Sequence, residues 1–269
     1  MNITPEWRTA IDAYLVAQRA AGYKVTTTNS RKQHLQHLAR AVGGDPWAMT
    51  GDDLVEFAGA QTWAQETRRG RGNTFISFWK WGKSKGLCKR NIAKVLGRVK
   101  PGEADPRPVP ERVFNKAMMK ATPRERLWME LARNAGLRRC EVALVHSDDL
   151  QEDLVGFSLL VHGKGSKKRV VPLTPRLAID LLSLEPGYAF PGSDNGHLSP
   201  RWIGRRVADL LGGGWTMHKL RHSAGTGFYL HGDLAIAQKL LGHASPATTM
   251  IYVKLPDERL RATVLAAAS

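Results

Sequence analysis

The pattern of apolar and polar positions divides the chain into two differently built halves. Leu35, Leu38, Ala39 and Val42 recur at i, i+3, i+4 and i+7 behind the polar run Thr26–Ser30, which predicts an amphipathic helix with one buried stripe. Gly43-Gly44-Asp45-Pro46 ends it. A second helix is predicted over Asp52–Ala60, with Thr50 or Asp52 as its cap. From about Thr62 to Lys85, Phe75, Phe78, Trp79 and Gly82 fall at helical spacing. That stripe reads as core rather than as a platform for stacking bases. Val99–Pro110 then carries four prolines and one glycine, which cannot continue a helix and favour extended backbone. It reads as a linker, so domains are expected at 1–98 and 111–269 with 99–110 between them.

Beyond the linker, helical patterns cover Glu111–Lys120 and Arg124–Ala135, and Val155–Val161 and Arg169–Leu173 read as two short strands. The glycines of Gly163-Lys164-Gly165-Ser166 supply a hairpin turn between them. The pattern is then helical to the end, broken at Pro186-Gly187, Pro191–Asn195 and Gly212–Gly214. The expected fold is mainly α with a small β-hairpin or sheet: an N-terminal helical domain followed by an α+β domain. A chain of 269 residues is long enough for both to bury a core.

Charge sharpens this picture. Lys and Arg number 40 against 24 Asp and Glu, a net +16, and the pI is near 10.2. Such an excess suits a polyanion, because each cation that meets a phosphate releases condensed counterions. The first sixty residues balance six basic side chains against six acids, whereas residues 61–100 hold eleven against Glu66 alone. Concentrated on a segment whose other face is apolar, Arg68, Arg69, Arg71, Lys80, Lys83, Lys85, Lys89 and Arg90 are the candidate DNA-facing side chains. No apolar run is long enough to span a bilayer and no signal-peptide pattern is present, so a cytoplasmic protein is expected. Cys88 and Cys140 match no metal-ligand spacing.

Two local clusters could carry chemistry. His218-Lys219-Leu220-Arg221-His222 stands where a helix should begin after the glycine run, and His218 and Arg221, three apart, share one face. Gly242-His243 ends an apolar helix containing Ile236, Leu240 and Leu241. Ser245-Pro246 opens another, which bears Tyr252 two turns in. A single tyrosine on a helix is ordinarily a core residue, so the weight lies in the ordered set.

That set resembles the catalytic signature of the tyrosine recombinase, or phage integrase, family. Gly136-Leu137-Arg138-Arg139-Cys140-Glu141 is similar to its first-arginine box, and His162-Gly163-Lys164-Gly165-Ser166-Lys167-Lys168 to its β-hairpin lysine box. His218-Lys219-Leu220-Arg221 resembles its His-x-x-Arg box, and Leu240-Leu241-Gly242-His243 with Tyr252 nine residues on resembles its closing box. The likeness covers roughly residues 107–260. Cys140 departs from the small residue common there, and Gly225 and Gly227 loosen the helix after the second arginine. The first hundred residues resemble the family's core-site-binding helical domain more loosely. The further small domain that larger phage integrases place before it has no room here, since a first helix is expected almost at Met1.

The resemblance implies a catalytic set of Arg138, Lys164, His218, Arg221, His243 and Tyr252, with Glu141 bracing an arginine. Tyr252 would attack phosphorus and keep the bond energy in a phosphotyrosine, splitting one hard step into two reversible ones. Arg138 and Arg221 suit the charge gathering on nonbridging oxygens, because guanidinium stays ionised and binds two oxygens in a fork. Lys164 would protonate the leaving 5′-oxygen, with Lys167 and Lys168 as competitors. His218 would take or position the tyrosine proton, and His243 would donate to the phosphate. His222 is either a packing residue or a secondary site residue.

With arginines supplying the positive charge, neither metal nor cofactor is expected, and the nine histidines form no ligand motif. The expected partners are double-stranded DNA attachment sites, three further copies in a tetramer on paired sites, and an accessory DNA-bending protein; no membrane is expected. The tail Leu255–Ser269, with Leu260, Val264 and Leu265, would pack on a neighbouring protomer or on its own domain. The leading reading is phage or mobile-element integration and excision. Chromosome-dimer resolution, type IB topoisomerase-like relaxation and non-catalytic DNA-binding regulation are the alternatives.

Overall fold

The computed structural model describes residues 3–102, 107–163, 167–243, 248–250 and 265–266. The chain divides into two compact units, Met1–Glu103 and Ala104–Ser269.

The N-terminal unit is helical: α1 (Pro5–Ala20), α2 (Val25–Val42), α3 (Gly51–Gly59), α4 (Gln65–Ser84) and a 3₁₀ turn at Ile92–Leu96. Thr50 caps α3 through a reciprocal box with Asp53, its Oγ1 accepting the Asp53 N–H at 3.2 Å while Asp53 accepts the Thr50 N–H at 2.8 Å. α4 starts at Gln65, three residues after the pattern suggests, with Ala64 at its cap position and Glu66 in its first turn. Its aromatic stripe is core: Phe75, Phe78 and Trp79 are buried together with Trp7 and Tyr14. Phe78 stacks between Trp47 and Trp7 at centroid distances of 5.1 and 5.8 Å. Trp79 and Tyr14 meet its ring edge-on. Gly82 lets the Trp47 indole lie against the α4 backbone, since a Cβ there would come within 2.4 Å of the ring.

The C-terminal unit begins with α5 (Glu111–Lys120), the range the pattern predicts. α6 (Pro123–Arg133) opens on a Thr122–Glu125 capping box and stops two residues short of the predicted Ala135, ahead of Gly136 with φ +65°. A short α7 (Arg139–Ala143) and a 3₁₀ turn at Ser147–Asp149 lead into an antiparallel sheet, β1 (Leu150–Asp153), β2 (Gly156–His162) and β3 (Lys168–Pro172), in the order β1-β2-β3. β2 and β3 pair from Ser158↔Pro172 to His162↔Lys168. Then follow α8 (Pro175–Leu182), a two-residue pair of strands β4 (Pro191–Gly192) and β5 (Gly196–His197), α9 (Pro200–Leu211), α10 (Met217–His231) and α11 (Leu234–Leu241). β1, β4 and β5 were not expected from the sequence.

Trp128, Leu131, Leu137, Val142, Leu159, Val161, Phe190, Ile203 and Leu220 form this unit's core. In α11 the buried face is Ala237 and Leu241, and Ile236 is exposed rather than packed. Among the described residues no helix is long and apolar enough to cross a membrane. The hairpin tip with Lys164, the segment opening at Ser245-Pro246, Tyr252, and most of the tail lie outside the described residues.

Candidate active site

The site is organised around a buried carboxylate. α7 begins at Arg139, which leaves Arg138 at the cap position and places Glu141 in the first turn, facing back. The Arg138 N–H donates to Glu141 Oε2 at 2.8 Å, and Arg138 Nη1 donates to Glu141 Oε1 at 2.7 Å. The Glu141 side chain is 1% exposed, while that of Arg138 keeps a third of its surface open to solvent.

Arg221 arrives from α10. Gly212, Gly213 and Gly214, all with positive φ, turn the chain, and Met217, Leu220 and Ala224 then pack inward. Arg221 is 2% exposed. Its Nη1 donates to the Gly136 carbonyl and its Nη2 to the Leu241 carbonyl at 2.6 Å, with Nη1 also 3.6 Å from Glu141 Oε2. Arg138, Glu141 and Arg221 therefore meet directly.

His243 follows the left-handed α11 cap Gly242 (φ 64°, ψ 46°). Its N–H donates to the Gln238 carbonyl at 3.1 Å, and its Nδ1 shares a hydrogen bond with Thr249 Oγ1 at 2.9 Å. On α10, the exposed His218 and half-buried His222 lie ring to ring, 4.5 Å between centroids.

Electrostatics set the protonation states. Burial works against ionisation of Glu141. The hydrogen bonds and charge of Arg169, the Arg138 N–H and the charge of Arg221 outweigh it, so its carboxyl sits below the usual range. His243 is pushed down to about 4, first by desolvation and then by Arg221, Arg138, Arg169 and His222. His222 is likewise pushed to about 4, by desolvation and then His218, Arg221 and Lys219. His218 is lowered by desolvation and then by Arg221, Arg138 and Arg139. All three lie below the ordinary value of 6.5. His222 and His243 are therefore neutral near pH 7, each with one ring nitrogen to accept a proton and one to donate.

Sequence reasoning passed over two residues here. Arg169, on β3, donates from Nη1 and Nη2 to the two Glu141 oxygens at 3.0 and 2.8 Å, and from Nε to the Leu240 carbonyl at 2.8 Å. A signal existed: the two-residue period of a strand puts Arg169 on the same face as buried Val171, an unusual place for a cation. Thr249, fully buried against His243, had none.

Of the lysines weighed for the hairpin, Lys167 and Lys168 are exposed, and Lys164 lies outside the described residues. In the N-terminal unit, Arg68 donates to the Ala58 and Gln61 carbonyls at 3.0 and 2.9 Å. Arg69 pairs with Glu66 at 2.7 Å, and Arg71 lies over the Trp63 ring, 4.5 Å from its centroid. Lys80, Lys83, Lys85, Lys89 and Arg90 are exposed. Among the described residues no group of His, Cys, Asp or Glu is placed to hold a metal ion, and Cys88 and Cys140 are free thiols.

Two fixed guanidinium groups and neutral imidazoles in one place suit an anion that gains charge while a proton moves. Residues 111–259, just over half of the chain, match the phage integrase family. The chain belongs to the phage integrase family of tyrosine recombinases. As a member it is a DNA strand transferase. The tyrosine recombinase XerC of Serratia marcescens is 28% identical over 292 aligned residues, 96% of this chain and 94% of that protein. XerC of Yersinia pestis is 32% identical over 217 residues, 71% of this chain and 69% of its own length. In fold the recombinase is similar to a lambda integrase dimer bound to a COC′ core site, with a TM-score of 0.74 at 17% identity, covering 94% of this chain and 77% of that one.

Proposed function

We propose that this recombinase is site-specific, cutting and rejoining duplex DNA through a covalent 3′-phosphotyrosine on Tyr252. The observation that carries the proposal is the convergence of Arg138 and Arg221 on one buried carboxylate, each held by fixed protein partners. Charge held in place before the reaction needs no reorganisation in the transition state, which is why such groups dominate catalysis. The scissile phosphate would sit on the open side of Arg138, its nonbridging oxygens facing both guanidinium groups. His218 takes the Tyr252 proton as the phenol attacks phosphorus. His243, with Nδ1 occupied by Thr249, donates from Nε2 to a phosphate oxygen. Lys164 protonates the departing 5′-oxygen. The bond energy is conserved in the phosphotyrosine, so strand rejoining by the reverse attack requires neither metal nor nucleotide.

In this reading residues 1–98 form the core-site-binding domain, 99–110 the linker and 111–269 the catalytic domain. Lys80, Lys83, Lys85, Lys89 and Arg90, free of the internal engagements that occupy Arg68 and Arg69, supply phosphate contacts in the cytoplasm. Four copies act on paired sites. A solved lambda integrase tetramer bound to a Holliday junction, similar to this chain with a TM-score of 0.73, supports that assembly. Integration and excision of a phage or mobile element is the setting we favour from the family match. The near-full-length likeness to XerC recombinases supports chromosome-dimer resolution as the second.

A suicide-substrate assay tests the proposal. Protein and nicked attachment-site DNA are mixed in EDTA and run on a denaturing gel. A slow-migrating protein–DNA adduct is expected, and it should vanish in Tyr252→Phe. Failure to form an adduct on DNA that the protein binds would reject the catalytic assignment and favour a DNA-binding regulator.

A further inference from the structure

Three guanidinium groups face one carboxylate, and they do not do the same work. Arg221 is anchored on two carbonyls, and Arg138 gives Glu141 a single side-chain N–H while keeping its outer surface open. Of the three guanidinium groups, that of Arg169 donates to both carboxylate oxygens, and its Nε closes on the Leu240 carbonyl, with the side chain only 10% exposed. Its aliphatic stem also fills the space beside Gly242, where an added Cβ would lie 2.9 Å from Arg169 Cδ. One side chain thus ties the returning strand of the hairpin to the first-arginine turn and to the end of α11, from which His243 projects.

The charges explain why a third arginine is useful. A carboxylate buried beside Arg138 without another partner would draw Arg138 into a two-pronged pair and cancel the charge meant for the phosphate. With both carboxylate oxygens taken by Arg169, one guanidinium N–H of Arg138, beside its backbone N–H, suffices to fix its position, and the rest of the group stays available. We infer that Arg169 is a positioning residue of the recombination reaction: it neutralises Glu141 so that Arg138 remains open to the scissile phosphate, and it holds the turn that carries His243. This rests on the proposed phosphotyrosine reaction and adds a residue that the signature motifs did not include.

The test uses the full-length protein and the suicide substrate, with adduct formation timed under single-turnover conditions. Melting temperature and site binding are measured on the same samples. Arg169→Met is expected to bind the site within about twofold of the parent while forming adduct about 100-fold more slowly, the scale of one lost preorganised donor. Arg169→Lys keeps a charge but cannot span both oxygens and Leu240, and should recover only part of that rate. The deciding variant combines Arg169→Met with Glu141→Gln: removing the unbalanced carboxylate should restore adduct formation at least about tenfold over Arg169→Met alone, a coupling that independent sites do not show.

Parent-like rates in Arg169→Met, or a defect that Glu141→Gln leaves unchanged, would overturn the inference. So would a slow rate that simply follows a lowered melting temperature across the set. If Arg169→Met does not fold, Arg169→Lys with and without Glu141→Gln carries the same comparison. Absence of adduct from the parent protein would instead count against the recombinase reading itself, so the two failures are distinguishable.

Discussion

In the N-terminal unit Phe78 lies between the rings of Trp47 and Trp7; in the C-terminal unit a carboxylate lies among three guanidinium groups. The first centre buries aromatic carbon, and Lys80, Lys83, Lys85, Lys89 and Arg90 stay at the surface. The second buries charge, which demands a partner for every ion. The difference follows from what each unit is proposed to meet. A surface that tracks a polyanion works with long, mobile side chains, because counterion release is indifferent to their exact positions. Stabilising two particular oxygens in a transition state requires cations that do not move, and holding a cation still requires its counter-charge in the interior.

Removing the counter-charge should have the largest effect. Glu141→Ala leaves buried arginines unbalanced, and about 3–5 kcal/mol of stability should be lost. Hydrogen exchange should place that loss in the C-terminal unit, with amides of α1 to α4 protected as before. Equal loss in both units would mean that the buried carboxylate does not serve the C-terminal unit alone. The matching lesion in the other unit is Gly82→Ala, which drives a methyl into the Trp47 indole. Overpacking of this kind costs about 1–3 kcal/mol, and the exchange signature should be confined to α1–α4.

Acid should act on the C-terminal unit through its histidines. Well above pH 6.5 His222 and His243 are neutral whether the chain is folded or unfolded, so they contribute no pH dependence there. As pH falls through 6.5 the unfolded chain takes up these protons first, and stability drops until the folded-state values near 4 are passed. Urea midpoints measured against pH should show this slope, and His222→Gln should make it shallower. The smallest effect on stability is expected from Lys80→Ala, Lys83→Ala, Lys85→Ala and Lys89→Ala combined, each within about 0.5 kcal/mol. DNA affinity should nonetheless fall evenly across sequences, with the salt slope shallower by about one for each lysine that had met a phosphate.

The same contrast governs what was legible beforehand. The helices α2 to α6 show in their apolar and polar pattern, down to the bounds of α5, because one stripe of each must face a core, whereas the five-residue α7 is too short to show a period. β1 was invisible because Leu150-Gln151-Glu152-Asp153 is an edge strand with one half-buried position and nothing to alternate. The β4–β5 pair is too short for any period. Charge was harder to read than apolarity: a composition that counts Arg68 and Lys83 alike cannot tell that Arg68 is spent on the Ala58 and Gln61 carbonyls. In the sequence Arg169 reads only as the first residue of a strand, and its partnership with Glu141 depends on a contact across 28 residues. The motifs point to groups proposed to touch substrate and to the Glu141 brace; what holds Glu141 and Arg221 in turn is written in tertiary structure.

The span of those contacts also bears on how the chain is made. Glu141 meets Arg138 three residues away, but Arg221 reaches back 85 residues to Gly136, and Arg169 reaches forward 71 to Leu240. A ribosome releases the chain from its N-terminus, so a nascent protein first exposes the helical unit and its basic surface. The paired arginines cannot assemble until residues beyond Leu241 have emerged and the whole C-terminal unit has closed. On the proposed assignment of site binding to the helical unit, a growing chain would engage DNA before it could cut it, and a translation product truncated before α10 would occupy sites without opening strands.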